Sequence, residues 1–269
     1  MNVVDAIILG LVQGVTEFLP ISSTGHLVLV RGLLDVTGTN ALAFDAMLHL
    51  ATTIAVALYF WSDLWVLLQA LLRKLGRLPV NQKDLTLFYA LAVGTVPAVI
   101  VGLFLESFVS QNLQSPSVVA VVLFFASFFF LYAEWRYYLK PNREVITVKR
   151  GLFVGLFQAL ALIPGFSRSG ATIAGGMLLG LSRYEAARFS FLLAIPVTAG
   201  VGAKKFIDLI GQGEGVEWFP IMIGSATALV TACIVIHFFL VFIRRYTLWP
   251  FVWYGLALSG LVGYVSFIS

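Results

Sequence analysis

Long, continuous runs of apolar residues dominate the chain and leave few polar positions between them. About six of these runs are long enough for a membrane-spanning helix, which takes roughly 20 residues. Because the runs are continuous and not alternating, the pattern predicts helices and not the strands of a membrane barrel. The predicted spans lie near residues 42–62, 85–105, 117–139, 186–207, 218–242 and 249–268.

Two further apolar stretches, roughly 3–33 and 151–181, are interrupted by proline, glycine and hydroxyl residues. Interrupted stretches make poor simple spans, because irregular backbone is tolerated at membrane depth only where protein or a wet cavity covers it. A helix–loop–helix that enters the membrane and returns to the same side fits the pattern better. The sequence therefore predicts two re-entrant hairpins in addition to the six spans.

The two interrupted stretches resemble each other in register. A shift of 145 residues aligns GLVQGVTEFLPISSTG (10–25) with GLFQALALIPGFSRSG (155–170), so that Gln13 pairs with Gln158. Chance similarity between apolar sequences is the alternative, but the register persists for over fifty residues. We interpret the match as an internal duplication within one membrane domain, with halves at roughly 1–145 and 146–269. Each half would hold one hairpin and three spans, an odd number, so the second half should be inverted relative to the first.

Composition and charge agree with a polytopic all-α membrane protein. The chain is 60% hydrophobic and 11% charged, whereas soluble domains carry about 25% charged residues. Lysine and arginine collect on the cytoplasmic side of membranes, and nearly all of them fall on one side of the six-span topology. Arg31, Lys204 and Lys205 are exceptions, and the loops 106–116 and 209–217 have neither residue. We expect outward-facing termini, a first hairpin that enters from outside and a second that enters from the cytoplasm, with no nucleic-acid partner.

Ionisable groups inside membrane segments are functional candidates by default. The first hairpin contains Glu17 and His26, and the second contains Arg168. Inverted repeats bring their broken helices together near the midplane, so a carboxylate and an imidazole should face a guanidinium. Arginine matches phosphate oxygens with a planar fork, and glycine-rich helix starts expose N–H donors. The predicted phosphate-binding groups, besides Arg168, are Ser22, Thr24, Gly25, Gly165, Ser167, Ser169, Gly170 and Thr172.

Several roles stay open at this level. Glu17 repels a bare phosphate, so it could hold a divalent cation, aided by the carbonyl of Gln13, or act as a base. His26 could be the nucleophile or a proton donor. Individual hydroxyls could serve helix packing instead of phosphate binding. Asp45 and His49 are i,i+4 neighbours that could support the groups at the site, bind a metal together, or form a simple internal hydrogen bond.

The two hairpin motifs resemble the signatures of undecaprenyl-diphosphate phosphatases of the bacitracin-resistance type. QGVTEFLPISSTGH (13–26) is similar to the glutamate-rich motif of that family, and PGFSRSGAT (164–172) is similar to its second signature. The resemblance covers essentially the whole chain. Gln13 is the one variable site, because many members have glutamate there. If that position binds metal, this chain has one carboxylate fewer.

The resemblance implies a multi-pass hydrolase of the bacterial plasma membrane. It would remove the terminal phosphate of undecaprenyl diphosphate, recycle the lipid carrier for peptidoglycan synthesis and confer bacitracin resistance. It also implies dependence on a divalent cation (Mg²⁺ or Ca²⁺), a homodimer and an active site that opens to the outer face. The residues carried over by motif are Gln13, Glu17, Ser23, His26 and Arg168, supported by Ser167, Ser169 and Thr172.

In the mechanism expected from these motifs, Arg168 binds the diphosphate, and Glu17 and Gln13 bind the cation. His26 or Ser23 attacks the phosphorus, or His26 orients a water, and the sequence does not choose among these. The rival function is a transporter or flippase of a phosphorylated lipid or small anion, because inverted repeats with broken helices are the usual architecture of secondary carriers.

Overall fold

The computed structural model describes residues 1–36, 39–113, 115–140, 144–211 and 217–268, with the side chains at 39–43, 106–107, 110–111 and 268 left aside. Within these ranges the secondary structure is helical and contains no strand. The helices are α1 Val3–Thr16, α2 Ser23–Leu33, α3 Thr39–Tyr59, α4 Trp61–Leu75, α5 Gln82–Asn112, α6 Pro116–Leu139, α7 Val148–Leu160, α8 Arg168–Leu178, α9 Arg183–Gly211, α10 Trp218–Ile243 and α11 Trp249–Ile268.

The predicted spans are confirmed as helices. In the described ranges, α5, α6, α9, α10 and α11 are each long and apolar enough to cross a membrane, and the bent pair α3–α4 provides a sixth candidate. The bend between α3 and α4 is 75°. The segment between the predicted spans at 42–62 and 85–105 is not simply a loop, because Trp61–Leu75 is helical. Large apolar side chains at Trp61, Trp65, Leu68 and Leu72 are exposed on one face of α4, which is typical of a helix lying in a membrane interface.

Both predicted hairpins are present as pairs of short helices, α1–α2 and α7–α8. The second helix of each pair begins at a serine N-cap with positive φ, 65° at Ser22 and 64° at Ser167. The cap hydroxyls accept hydrogen bonds from the N–H groups of Gly25 and Gly170, at 3.3 and 3.2 Å. A non-glycine residue with positive φ costs about 1–3 kcal/mol. The same strained cap, 145 residues apart, supports the proposed duplication and its halves.

Equivalent close helix contacts fix the first helix of each hairpin. Gly10 of α1 packs against the carbonyl of Gly224 in α10, and Gly155 of α7 packs against the carbonyl of Gly94 in α5. A methyl group at Gly10 or Gly155 would overlap that backbone oxygen. Because Gly155 lies 145 residues after Gly10, the two helix crossings occupy equivalent positions in the two proposed halves.

The two hairpins enter the helix bundle from opposite ends. One end, here called the basic end, contains a cavity of about 1050 Å³ whose lining includes Lys83, Arg183 and Arg244. Thr147, the N-cap of α7, lines the same cavity, so the second hairpin starts at the basic end. The Met1 amino group instead contacts the Glu217 carboxylate at 3.2 Å, at the other end of α10. Cationic segments thus meet at one end of the bundle, which agrees with the charge pattern. Arg143 and residues 212–216 lie outside the described residues.

A buried ion pair fastens the helices at the basic end. The Glu134 carboxylate, 2% exposed, accepts hydrogen bonds from Arg183 Nη2 at 2.6 Å and Nε at 2.9 Å. It also accepts the backbone N–H of Leu248 at 2.6 Å. Glu134 therefore joins α6 to the start of α9 and to the segment before α11.

We expect Gly155→Ala to destabilise the protein by about 1–3 kcal/mol, because the added methyl group overlaps the Gly94 carbonyl in a packed helix crossing. Thermal unfolding in detergent, followed by circular dichroism, measures the change. Gly200→Ala in α9 is the matched control, since no atom lies within 4 Å of the added carbon. The control should be neutral or stabilising, and equal losses in the two variants would contradict the proposed close crossing.

Candidate active site

An ion pair between the two hairpins forms the centre of the site. Glu17 follows the last turn of α1 and is 7% exposed, and Arg168 is the first residue of α8. Arg168 Nη2 donates to Glu17 Oε1 at 2.7 Å. The other carboxylate oxygen, Oε2, accepts the hydroxyl of Ser23 at 2.9 Å. The structure thus brings together the predicted carboxylate, guanidinium and serine.

A histidine and an amide approach the carboxylate from a second side. Gln13 Nε2 donates to Glu17 Oε2 at 2.9 Å, and His49 Nδ1 lies 3.2 Å from the same oxygen. His49 Nδ1 also lies 2.9 Å from Gln13 Nε2. Nδ1 donates to Glu17 when it carries a proton and accepts from Gln13 when it does not. His49 is therefore placed to exchange a proton with the carboxylate.

A cavity of about 210 Å³ opens beside this ion pair. Glu17 and Arg168 line it together with polar residues from both hairpins and from α3 and α9. The rest of the wall is apolar and comes from α5, the tip of the second hairpin and α9. Its polar lining, beyond the ion pair, consists of Ser22, Ser23, Thr24, His49, Gln158, Ser167 and Thr198.

Several buried polar atoms without a hydrogen-bond partner belong to residues that line the cavity or contact Glu17. Among the described residues they include Arg168 Nη1, Gln13 Oε1 and both side-chain polar atoms of Gln158. Gln158 is 2% exposed. An unpaired buried polar group costs about 1–3 kcal/mol, and more when it is charged. A ligand rich in oxygen would satisfy the guanidinium and the amide donors together.

His26 lies away from the cavity lining. Its Nδ1 is 2.8 Å from the backbone oxygen of Ser22, and its Nε2 is 2.6 Å from the Tyr254 hydroxyl. The two rings stack with centroids 5.6 Å apart. Both ring nitrogens are thus engaged with groups of the protein, and the role of His26 as nucleophile or proton donor stays a prediction.

Two of the predicted phosphate donors are bonded within the protein. The N–H groups of Gly25 and Gly170 donate to the capping serines, so the expectation that they are free to bind phosphate is not supported. Helix starts still leave their first N–H groups without an intrahelical partner, which here include those of Ser23, Thr24 and Arg168. Gly165, with a φ of 101°, lines the cavity itself.

Ser169 and Thr172 support the site from behind. The Ser169 hydroxyl donates to the backbone carbonyl of Leu19 at 2.9 Å and so ties the second hairpin to the first. The Thr172 hydroxyl donates to the backbone carbonyl of Arg168 at 2.8 Å and lies 2.6 Å from the Ser190 hydroxyl. These contacts orient the helix start that presents Arg168.

Asp45 and His49 do not pair with each other. Asp45 forms an ion pair with Arg31, while His49 points to Glu17. This pairing neutralises Arg31, one of the exceptions to the charge pattern. Thr198 was missed by sequence reasoning, although the 145-residue shift pairs it with Thr53, whose hydroxyl donates to that of Thr198 at 2.6 Å. The repeat register was the available signal.

The donor set fits a hard divalent cation shared with phosphate. Carboxylate and carbonyl oxygens are the ligands that Mg²⁺ and Ca²⁺ prefer, and the Gln13 side chain, whose Nε2 contacts Glu17, has its Oε1 without a partner. The described part of the chain contains no group of three or more His, Cys, Asp or Glu residues suited to a metal. A cation held here would have few ligands from the described residues, as in Mg²⁺ sites completed by substrate phosphates.

Comparison with known proteins places the whole chain in one family. Residues 6–261 match the family described as Bacitracin resistance protein BacA. An undecaprenyl-diphosphatase of Nitrosococcus oceani is 40% identical over 265 residues, 98% of this chain and 99% of that protein. Those of Alteromonas mediterranea and Colwellia psychrerythraea are each 39% identical, over 97% and 100% of this chain and 98% and 100% of their own lengths. Because the match includes both hairpin motifs, 13–26 and 164–172, the chain belongs to the bacitracin resistance protein BacA family.

Proposed function

We propose that this protein hydrolyses undecaprenyl diphosphate to undecaprenyl phosphate and inorganic phosphate. Relatives that match this chain over nearly their whole length are named undecaprenyl-diphosphatase. The family name connects the protein with bacitracin resistance. The reaction would return the lipid carrier to peptidoglycan synthesis. The observation that carries the proposal is the Arg168 side chain, which lines the cavity, is held on one side by Glu17 and has its buried Nη1 atom without a partner.

Arg168 is suited to bind the phosphoryl group that is transferred. A guanidinium is permanently charged and presents N–H donors in a fixed fork that matches phosphate oxygens. Its contact with Glu17 fixes the plane of that fork, so little orientation is lost when phosphate binds. Such a fixed charge stabilises the transition state more than a mobile one would, because it needs no reorganisation during the reaction. Gln158 would donate its unpartnered amide to another phosphate oxygen.

Ser23 is the best-placed nucleophile. Its hydroxyl already donates to Glu17 Oε2 at 2.9 Å, which is the nucleophile-and-base geometry of covalent catalysis. Gln13 and His49 hold that carboxylate oxygen in place. Ser23 Oγ would attack the terminal phosphorus as its proton moves to Glu17, and the bond from that phosphorus to the bridging oxygen would break. Undecaprenyl phosphate leaves with the bridging oxygen and its electron pair.

The second half of the cycle would restore the serine. A water molecule attacks the phosphoserine, the bond between phosphorus and Ser23 Oγ breaks, and inorganic phosphate leaves. The proton stored on Glu17 returns to Oγ. His49 can accept the proton that the water releases, because its ring lines the cavity beside Glu17.

A divalent cation, Mg²⁺ or Ca²⁺, belongs to this proposal. The charges of Glu17 and Arg168 offset each other, whereas a diphosphate brings additional negative charge that the cavity does not balance. Glu17 and the Gln13 carbonyl oxygen would hold the ion. When bound, it would neutralise charge on the phosphate oxygens.

The proposed location is the bacterial plasma membrane, with the basic end in the cytoplasm. The first hairpin would then enter from the outer face, and the site would open there. The homodimer implied by the family resemblance is part of this proposal.

Transport is the second candidate function, favoured by the opposite entry of the two hairpins. Phosphate release separates the two, because a carrier that performs no hydrolysis releases none.

We expect Arg168→Lys to reduce turnover of undecaprenyl diphosphate about 10²-fold or more, because lysine keeps the charge but loses the fork that fits phosphate. Phosphate release from purified protein in detergent measures the loss. Arg31→Lys is the matched control, since Arg31 also pairs with a carboxylate but lies outside the cavity lining. Arg31→Lys should stay near the wild-type rate. If Arg168→Lys keeps more than a tenth of the wild-type rate, the role assigned to Arg168 is contradicted.

Ser23→Ala should lower kcat about 10³-fold or more, because the group that forms the covalent bond is removed. Rapid quenching with substrate labelled in its terminal phosphate should trap label on wild-type protein and none on the variant. Ser62→Ala, at an exposed position of α4, is the matched control and should stay near the wild-type rate. Full activity of the wild-type protein without any trapped label would indicate direct attack by water.

Gln13→Glu should tighten Mg²⁺ binding about tenfold or more, because a second carboxylate joins Glu17 at the proposed ion site. Calorimetric titration of the protein without substrate measures this change, and the Mg²⁺ concentration for half-maximal turnover should fall in parallel. Gln69→Glu on the exposed face of α4 is the control for added charge. An unchanged Mg²⁺ affinity in Gln13→Glu would contradict the proposed ion site. Full turnover by the wild-type protein in excess chelator would also contradict it.

A further inference from the structure

One face of α10 carries two polar side chains on a surface that otherwise suits lipid. His237 lies within the apolar sequence IVIHFFL, and Arg244 is the C-cap of the helix. A spacing of i to i+7 puts both on one face, and both are exposed. The exposed apolar residues beside them are Ile234, Phe238 and Val241. We call these five residues the α10 strip.

Two tyrosines from neighbouring helices fix the polar members of the α10 strip. The hydroxyl of Tyr59, the last residue of α3, lies 3.2 Å from His237 Nδ1. When that hydroxyl donates to Nδ1, the ring proton of neutral His237 lies on Nε2. The Arg244 guanidinium stacks over the ring of Tyr184, near the start of α9, with its carbon 4.1 Å from the ring centroid. Stacking leaves the N–H groups at the edge of a guanidinium available for hydrogen bonds.

The positive charge at the end of the α10 strip is not balanced by the protein. Arg244 and its neighbour Arg245 form no ion pair within the described part of the chain. The carboxylates in the first turns of α4 and α9, Asp63 and Glu185, both pair with Arg188 instead. The end of the strip is therefore complementary to an anion from outside the chain.

The α10 strip lies at the depth of the lipid head groups. Arg244 lines the cavity at the basic end, and the amphipathic helix α4 begins two residues after Tyr59. The head-group region on each side of the hydrocarbon core is roughly 5–8 Å thick. His237 lies roughly 10 Å deeper along the helix than Arg244. The strip thus extends from the level of the lipid phosphates to the beginning of the acyl chains, and the glycerol ester groups lie between these levels.

We propose that the α10 strip binds an anionic phospholipid in the leaflet at the basic end. Arg244 donates to the phosphate oxygens, and His237 Nε2 donates to a glycerol ester carbonyl. The acyl chain lies along the apolar residues of the strip. Basic pockets between membrane helices are suited to such head groups. A lipid bound here would join the end of α3, the start of α9 and the end of α10, and the assignment is independent of the reaction proposed for the hairpins.

Arg244→Gln tests the charge of this site. Native mass spectrometry of the protein in detergent, titrated with phosphatidylglycerol, measures lipid binding. We expect the apparent Kd of the tightest-bound lipid to rise about tenfold or more in Arg244→Gln, because a charge-assisted hydrogen bond is lost. Lys140→Gln is the matched control, since it removes an exposed cation from the end of α6 at the same end of the bundle. The control should bind the lipid as the wild type does.

His237→Phe provides a second variant, which keeps a ring of similar size and removes the Nε2 donor. It should weaken phosphatidylglycerol binding several-fold. The rise in unfolding temperature on adding lipid is measured for each variant against the same variant without lipid, so a change in its own stability cancels. Wild-type protein should be stabilised by phosphatidylglycerol more than by phosphatidylcholine, and both strip variants should lose most of that preference.

Several results would overturn the proposal. Equal affinity in the wild type and both strip variants would mean that the lipid binds through general attraction to the basic end. Equal stabilisation by phosphatidylcholine would mean that the site has no preference for an anion. Equal stabilisation by glycerol phosphate, which has no acyl chain, would indicate a soluble phosphate ligand instead. Lipid bound to monomers but absent from dimers would assign the strip to a contact between two copies of the chain.

Discussion

The contact between Glu17 and Arg168 is the interaction on which the site depends. Moving either charge out of water costs several kcal/mol, and their mutual attraction offsets this only when the geometry is good. Here the pair is 2.7 Å apart, and the carboxylate has further hydrogen bonds from Ser23 and Gln13. Each hairpin therefore contributes a charge that its own half does not balance, so the two halves must meet for either charge to be buried.

The two hairpins share backbone features but support chemistry that is not symmetric. The strained caps at Ser22 and Ser167 and the close crossings at Gly10 and Gly155 are counterparts in the two halves. The next position differs, because Ser23 in the first hairpin corresponds to Arg168 in the second. One helix start thus presents a hydroxyl beside a carboxylate, and the other presents a cation. A repeated backbone holds two different groups at one cavity.

Much of this arrangement could be predicted from the sequence. The spans follow from the length of the apolar runs, and the hairpins follow from proline and glycine within them. The meeting of Glu17 with Arg168 followed from the repeat register together with the inverted orientation.

The remaining features depend on contacts that local patterns do not encode. The spacing of Asp45 and His49 suggested a pair, but the packing of α3 against α1 directs His49 to Glu17, and Asp45 has Arg31 within reach instead. The motif that contains His26 gave no sign that Tyr254, over two hundred residues away, would contact its ring. The helix at Trp61–Leu75 was missed because its charged end resembles a loop.

The most direct test of the central claim is phosphate release from undecaprenyl diphosphate by purified wild type and by Glu17→Gln, each with its fold verified by thermal unfolding. Glutamine keeps the size of the side chain and removes the charge that joins the hairpins and accepts the serine proton. The account predicts release by the wild type and loss of nearly all of it in a folded Glu17→Gln protein. Wild-type release by Glu17→Gln, or none from well-folded wild type with Mg²⁺ or Ca²⁺ present, would contradict it.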